Sequence, residues 1–361
     1  MIRIGIDGRE ITLNHTGIHR YMDIFLCGVS RNDEVELHIF LPRRQIRKIV
    51  KPWIFYHFTD IPCPDIFWGH FVLPRLVKKY NIDVFFSPYY KLPLGLEIPS
   101  AVTVHDIIPF KYPNKRLGFN NIYKWFFKLQ LMYSLKSADI IFTDSMYVLK
   151  QLKTFYPDYK GVFLHNPIPA DPKFFVAEKN EPPLPFQYIF YVGNMMPHKN
   201  IDTLLKSYAT LNPSTRKNTH LVLTGRNRFY EDLSAMLDIS ETTHFLGFIS
   251  DEYLPCYYKH SLFAVVPSYE EGYGFPVLEA QAAGKSVIAS NTTSLPEVGG
   301  DSAIYFQPNN FKDLAEKMRL LIKDQNLRQT LEKNSTINAK KISHDDFLSN
   351  ILNGLRDIVK N

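Results

Sequence analysis

The sequence predicts an α/β protein made of two doubly wound, Rossmann-like domains facing a cleft. Three observations lead there. Short apolar runs alternate with longer amphipathic segments along the whole chain, the pattern of parallel β-α units. The alternation occurs as two series, separated by the proline- and charge-rich stretch "NPIPADPKFFVAEKNEPPLPFQ". Finally, 361 residues exceed one ordinary core at ~150 residues per domain.

In the first series "IRIGID", "VELHIF", "DVFFS", "AVTVHD" and "DIIFTD" read as buried strands. In the second, "YIFYVG", "HLVLTG", "THFLGF", "LFAVVPS" and "SVIAS" do the same. The expected division is residues 1–172, then 173–345, then a helix over 346–361. That last segment, "FLSNILNGLRDIVK", is amphipathic and a candidate to cross back to the first domain.

Composition narrows the class. With 45% hydrophobic and 22% charged residues the chain is globular rather than disordered. No apolar run approaches the ~20 residues a membrane-spanning helix needs, and "MIRIGIDGRE" reads as a strand rather than a cleavable leader. Cys27, Cys63 and Cys256 form no metal-binding pattern and fit a reducing cytoplasm.

The net charge of +6 is unevenly spread. Arg43, Arg44, Arg47, Lys48 and Lys51 fall in one stretch without acids, and Lys111, Lys115, Arg116, Lys124, Lys128 and Lys136 in another. Both interleave aromatics, "KPWIFYHF" and "YKWFFK". Such mixtures suit an anionic membrane surface, or equally a solvated basic face over a buried aromatic one. No recognition motif supports nucleic acid.

Ligands of open parallel sheets bind beyond the carboxyl ends of the strands. Gly17, His105, Gly193, Gly225 and Glu271 fall at such ends. The richest is "EEGYGFPVLEA", residues 270–280, after the strand "FAVVPS". Pro276 suits a helix's first turn, and Gly272 and Gly274 allow close backbone approach. The new helix's free amides attract negative charge. Glu271 and Glu279 can then meet one hydroxyl-rich ligand from different heights, since each carboxylate accepts two hydrogen bonds at once. Taken alone, Glu279 is equally readable as a local cap and Glu271 as a solvated charge. Likewise His105 with Asp106 can be a buried pair serving loop amides, Lys199 a solvated first-turn residue, and Gly17 a plain loop glycine.

The long segment "PSYEEGYGFPVLEAQAAGKSVIASNTTSLPEVGGDSAIYF" resembles the nucleotide-sugar signature of family 4 glycosyltransferases, which have the two-domain GT-B fold. "TGIHRY", "VHDIIPFKYP", "YVGNMMPHKN" and "HFLGFISDEYLPCYY" extend the resemblance over both domains. It is strongest to bacterial mannosyl- and rhamnosyl-type transferases of surface polysaccharide synthesis. The resemblance implies that Glu279 binds the ribose hydroxyls. It places Glu271 beside the transferred sugar, with Gly272, Tyr273 and the amides of Gly274 and Phe275. Lys199 would neutralise the diphosphate, and Gly17 would let the first helix approach it. Thr292, Ser294 and Leu295 would meet the phosphates, and backbone around Phe248 and Ile249 the base. His105, followed by Asp106, would sit near the sugar's C6 hydroxyl or the acceptor.

One position departs from the pattern: many members carry Arg where this chain has Asn194. Arg226, or more weakly His198, is then the expected second cation. Departure of a diphosphate demands fixed positive potential. The chain contains no Asp-x-Asp pair and no His/Cys cluster to hold a metal for that purpose. The implied activity is therefore metal-independent hexosyl transfer, mannose favoured, with retention of configuration and no cofactor. The donor would be GDP- or UDP-linked and the acceptor a glycan, on a lipid carrier, at the cytoplasmic face of the inner membrane. A dinucleotide-dependent oxidoreductase is disfavoured, because "GIDGRE" lacks G-x-G-x-x-G. A catalytically weak or inactive nucleotide-sugar-binding protein is the alternative.

Overall fold

The computed structural model describes all residues except 10, 12–16, 43–48, 62, 112–120, 177–180 and 361. The chain divides into two compact units. One comprises Met1–Phe110, Phe119–Ile168 and Ile342–Asn361, and the other contains Pro169–Lys341.

The first unit holds seven parallel strands: β1 (Ile2–Asp7), β2 (Val35–Leu41), β3 (Ile54–Phe58), β4 (Val84–Ser87), β5 (Ser100–Val104), β6 (Ile140–Thr143) and β7 (Val162–His165). Their order is β3-β2-β1-β4-β5-β6-β7. The second holds six: β8 (Gln187–Tyr191), β9 (Thr219–Leu223), β10 (Thr243–Phe245), β11 (Phe263–Val266), β12 (Val287–Ser290) and β13 (Ala303–Phe306). They are again all parallel, in the order β10-β9-β8-β11-β12-β13. Both sheets are doubly wound. The direction of winding reverses between β1 and β4 in one and between β8 and β11 in the other.

The central strands explain themselves. β4, β5, β6, β11 and β12 are buried along their whole length, which demands the near-continuous Val/Ile/Phe runs seen in the sequence. Ile189, Leu221, Val265 and Ile288 pack in the second unit's core with Leu204, Leu205 and Met318 from flanking helices. Some helix starts are capped by a side chain. Ser145 accepts from the Val148 amide ahead of helix Met146–Phe155, and Asp324 from the Leu327 amide ahead of Gln325–Ala339.

Helix His344–Lys360 belongs to the first unit. It buries Phe347, Leu348, Ile351, Leu352 and Leu355. Gly354 matters because a Cβ there would stand 3.2 Å from Ile140 and Phe142. Asn166 anchors the helix by donating to the Phe347 carbonyl at 3.2 Å and accepting from Asn350 at 3.1 Å.

Three strands, β3, β7 and β13, lay outside the expected set. The stretch "KPWIFYHF" contains β3 and is part of the sheet. Lys51 donates to the Cys27 and Val29 carbonyls, and the Trp53 indole to Val29. Those two side chains are committed to the unit's own backbone, while Phe55 of β3 stays exposed. Arg43, Arg44, Arg47, Lys48, Lys115 and Arg116 lie outside the described residues. Among the described residues no helix is long and apolar enough to cross a membrane.

Ile351 is fully buried. Ile351→Ala should cost about 2–5 kcal/mol in denaturant unfolding; a loss below about 1 kcal/mol would contradict the packing of this helix on the first unit.

Candidate functional site

Reversal of winding between β8 and β11 leaves a crevice at their carboxyl ends, the place where such sheets take ligands. Two loops meet there. The one after β8 runs through Asn194 to a single 3-10 turn, Pro197–Lys199, and then Asn200. Asn200 is fully buried with φ +59°, a left-handed conformation that asparagine tolerates. Its Nδ2 donates to the carbonyls of Pro267 at 2.9 Å and Pro308 at 2.8 Å. The amide of Tyr269 donates to the His198 carbonyl at 2.8 Å. These bonds join the β8 loop to the end of β11.

Lys199 Nζ thereby lies 2.7 Å from Glu271 Oε1, with side chains only 13% and 10% exposed. Ser268 Oγ donates to the same oxygen at 2.7 Å. Burial alone would push the Glu271 carboxyl up. The charge of Lys199 and the hydrogen bonds from Lys199 and Ser268 outweigh it and hold the pKa below the ordinary value. Glu271 is thus an anion held against a cation. His198 is different: burial, reinforced by Lys199, lowers it to about 4 despite Glu271. It is neutral near pH 7 in the free protein.

The backbone of Glu271 is fixed by the loop after β12. Its amide donates to Thr293 Oγ1 at 3.3 Å, and its carbonyl accepts from Ser294 Oγ at 3.1 Å. Thr293 adopts φ +57°, strained for a β-branched residue. Gly274 caps helix Phe275–Ala282 with φ +112°. A Cβ on it would fall 2.9 Å from Leu295, so glycine is required twice over. One turn inside that helix, Glu279 is 3% exposed and its Oε2 accepts from the Tyr258 hydroxyl at 3.1 Å.

The structure joins Lys199 to Glu271, Glu271 to Ser294, and Gly274 to Leu295, with the Thr292 carbonyl at the same strand end accepting from the Leu295 amide at 3.3 Å. Gly272 is half-buried, and Tyr273 packs edge-on against Phe275 at 5.7 Å. Asn194 is exposed and its Oδ1 accepts from the Met196 amide at 3.2 Å. Arg226, also exposed, follows β9 and donates to the Phe245 carbonyl at 3.2 Å. A Gly225–Gly247 bridge sets that loop beside the one carrying Phe248, 70% exposed, and Ile249.

The remaining expected residues belong to the first unit. Gly17 opens helix Gly17–Gly28 and is exposed. His105, past the end of β5, presents Nδ1 to Asp144 Oδ2 at 2.5 Å and Nε2 to the Pro88 carbonyl at 2.8 Å. Burial would lower its pKa, but the charge and hydrogen bond of Asp144, the Pro88 carbonyl and Asp106 raise it. A protonated ring donates from both nitrogens, so both are engaged inside the unit. Asp106 accepts from the Ile108 amide at 3.0 Å.

Sequence reading missed Ser268, Asn200, Thr293 and Tyr258. Ser268 adjoins the acidic pair and was discoverable from that spacing; the other three act through long-range contacts that carry no local signal. Among the described residues no three His, Cys, Asp or Glu side chains are grouped to hold a metal. Two hollows in the second unit, beside Arg319–Asn326 and beside Lys259, Lys285 and Arg328, contain none of these site groups.

The second unit thus sets an ion pair and a glycine-capped helix at its reversal point. Residues 173–337 match the family model described as "Glycosyl transferases group 1". That segment therefore carries a glycosyltransferase-type domain. Over 296 residues the protein is 29% identical to O-antigen chain mannosyltransferase B of Escherichia coli, covering 78% of this chain and 76% of that protein. It is 28% identical to O-antigen chain mannosyltransferase RfbU of Salmonella typhimurium, covering 66% of this chain and 64% of the relative. The solved structure of sucrose-phosphate synthase from Thermosynechococcus elongatus superposes with a TM-score of 0.74 at 19% identity, each chain fully covered. That likeness concerns the fold, which is GT-B.

Lys199→Met should cost about 3 kcal/mol or more at neutral pH by leaving a buried carboxylate unpaired. Because Glu271 is depressed in the wild type but raised by burial once Lys199 is gone, the wild-type advantage is largest at neutral pH and fades as pH falls through the variant's and then the wild type's native Glu271 pKa. Urea unfolding across pH 3.5–7.5 checks this; a gap that widens on acidification would contradict it.

Proposed function

We propose that the chain transfers mannose, with retention and without a metal, from a nucleoside-diphosphate sugar to a lipid-linked glycan in surface polysaccharide synthesis. One observation carries the reading: Lys199 Nζ sits 2.7 Å from Glu271 at the reversal point of the second sheet. Support for mannose comes from the two O-antigen mannosyltransferase relatives. Support for a metal-free mechanism comes from the lysine itself, with the missing Asp-x-Asp pair.

The chemistry follows from charge. As the bond between sugar C1 and the diphosphate oxygen breaks, negative charge accumulates on that oxygen. Lys199, the Thr292–Leu295 loop and the amides opening helix Phe275–Ala282 stabilise it, the last through the helix's positive end. Arg226 is the accessory cation, standing in for the Arg that Asn194 replaces. The acceptor hydroxyl attacks C1 from the face the diphosphate leaves, and its proton passes to the departing phosphate oxygen. No protein nucleophile is needed, and configuration is retained. Glu271 orients the sugar, while Glu279 accepts from the ribose hydroxyls. In the free protein Glu271 screens Lys199, so donor binding exchanges one anion for another.

Docking on lipid belongs to helix Asn121–Ser137 of the first unit. Trp125, Phe126 and Leu129 are exposed there beside exposed Lys128 and Lys136, a composition suited to anionic headgroups. Such docking fits an enzyme that works at the cytoplasmic face of the inner membrane.

Turnover of GDP-mannose and UDP-sugars, followed by nucleoside diphosphate release, should persist in excess EDTA. It should fall at least ~100-fold in Lys199→Ala, the scale of losing one charge stabiliser in a transition state. Full activity in that variant, or activity restored only by divalent cations, would refute the mechanism. Tight binding without turnover in the wild type would instead make this an inactive sugar-nucleotide-binding protein. Vesicle binding should rise with anionic lipid and weaken with salt; equal binding to neutral vesicles would remove the docking surface.

A further inference from the structure

We infer that Gln281 and Asn338, a buried amide pair about two helical turns beyond Gly274, are positioning residues for the loop Thr292–Leu295. This rests on the reading of that loop as a stabiliser of the donor diphosphate. Two helices border it: Phe275–Ala282, which starts at Gly274, and the short Leu295–Gly299, which starts at Ser294. Their starts meet. Leu295 lies 2.9 Å from where a Gly274 Cβ would stand, and Ser294 Oγ donates to the Glu271 carbonyl at 3.1 Å. Their far ends are tied by Gln281, which is fully buried. Its Nε2 donates to the Gly299 carbonyl and to Ser302 Oγ, both at 2.8 Å. Asn338 reaches in from helix Gln325–Ala339. Its Nδ2 donates to Gln281 Oε1 and to the Val298 carbonyl, both at 2.8 Å.

A side-chain amide nitrogen carries two hydrogens, and each of these two nitrogens meets two acceptors at 2.8 Å. Backbone carbonyls accept only from the nitrogen side, so neither amide can be turned over and the network has one arrangement. Ser302 Oγ passes its own proton to the Gly299 carbonyl at 2.8 Å. The backbone is shaped to admit Asn338. Gly300 adopts φ +54°, and a Cβ there would stand 3.0 Å from Asn338 Oδ1. Apolar side chains would fill the same space without the risk of unpaired groups. What the amides add is direction: they grip the Val298 and Gly299 carbonyls and so fix the end of the short helix against Phe275–Ala282. Releasing that end lets the short helix turn about its contact with Gly274, and Thr292–Leu295 turns with it. A stabiliser of developing charge loses its effect over displacements of about 1 Å.

Gln281→Leu removes the amide and keeps most of the bulk. Calorimetric titration with GDP and UDP, at a temperature where the variant is folded, should show Kd rising about tenfold. Guanosine and uridine, followed by ligand-observed NMR, should bind variant and wild type equally, because they bring no phosphate for the loop to meet. Asn338→Ala withdraws the partner amide from another helix and should give the same split; it carries the test if Gln281→Leu does not fold. Wild-type affinity for the diphosphates in a folded but less stable variant would make the pair merely structural and overturn the inference. Equal losses for diphosphates and nucleosides would overturn it too. Lys199→Met separates the two levels. If it weakens GDP binding while the amide variants do not, only this inference fails. If all three variants bind GDP as the wild type does, the reading of the donor site fails with it.

Discussion

A lysine and a glutamate, both nearly buried, are held together where a parallel sheet reverses its winding, and the second unit is arranged around that contact. Buried ion pairs are poor sources of stability, because desolvation consumes much of the attraction. This one also needs Asn200 to staple two loops, Ser268 to share the carboxylate, and a strained Thr293 to hold the Glu271 backbone. Such an assembly makes sense where a cation must be kept in place, dry and charged, for an anion that arrives later. The glycine-capped helix beside it offers the same potential in fixed form, through backbone dipoles rather than a side chain.

The same device recurs in the first unit with other chemistry. There His105, after β5, is held by Asp144, after β6. In both units an ionisable group past one strand is set by an opposite charge past its neighbour: β8 and β11 in one case, β5 and β6 in the other. Parallel strands bring their carboxyl ends to one edge of the sheet, so loops far apart in sequence become neighbours there. Lys199 and Glu271 are separated by 72 positions and His105 and Asp144 by 39. The topology closes both gaps.

Much of this was legible from the residues. Central strands announce themselves because both faces are buried and their runs are almost wholly apolar. The strands that escaped notice, β3, β7 and β13, are all at sheet edges. Half-exposed residues such as Phe55, Val162 and Tyr305 dilute their pattern. At the site, Gly274 and Glu271 stood out because helix entry and strand ends leave local signatures, whereas the roles of Lys199 and Glu279 came from the family resemblance. The charge state of His198 was not legible, since burial sets it and burial is a property of the fold. Nor was the engagement of both His105 nitrogens, which depends on Pro88 and Asp144.

The central claim is that Lys199 is the cation for a nucleoside diphosphate and that no metal shares the task. Isothermal titration of GDP and UDP into wild type and Lys199→Met, with EDTA throughout and at several salt concentrations, tests it most directly. Metal-free binding that weakens with salt in the wild type and is abolished in the variant is the predicted result. Equal affinity in the two proteins, or binding that appears only when divalent cations are restored, would contradict the account.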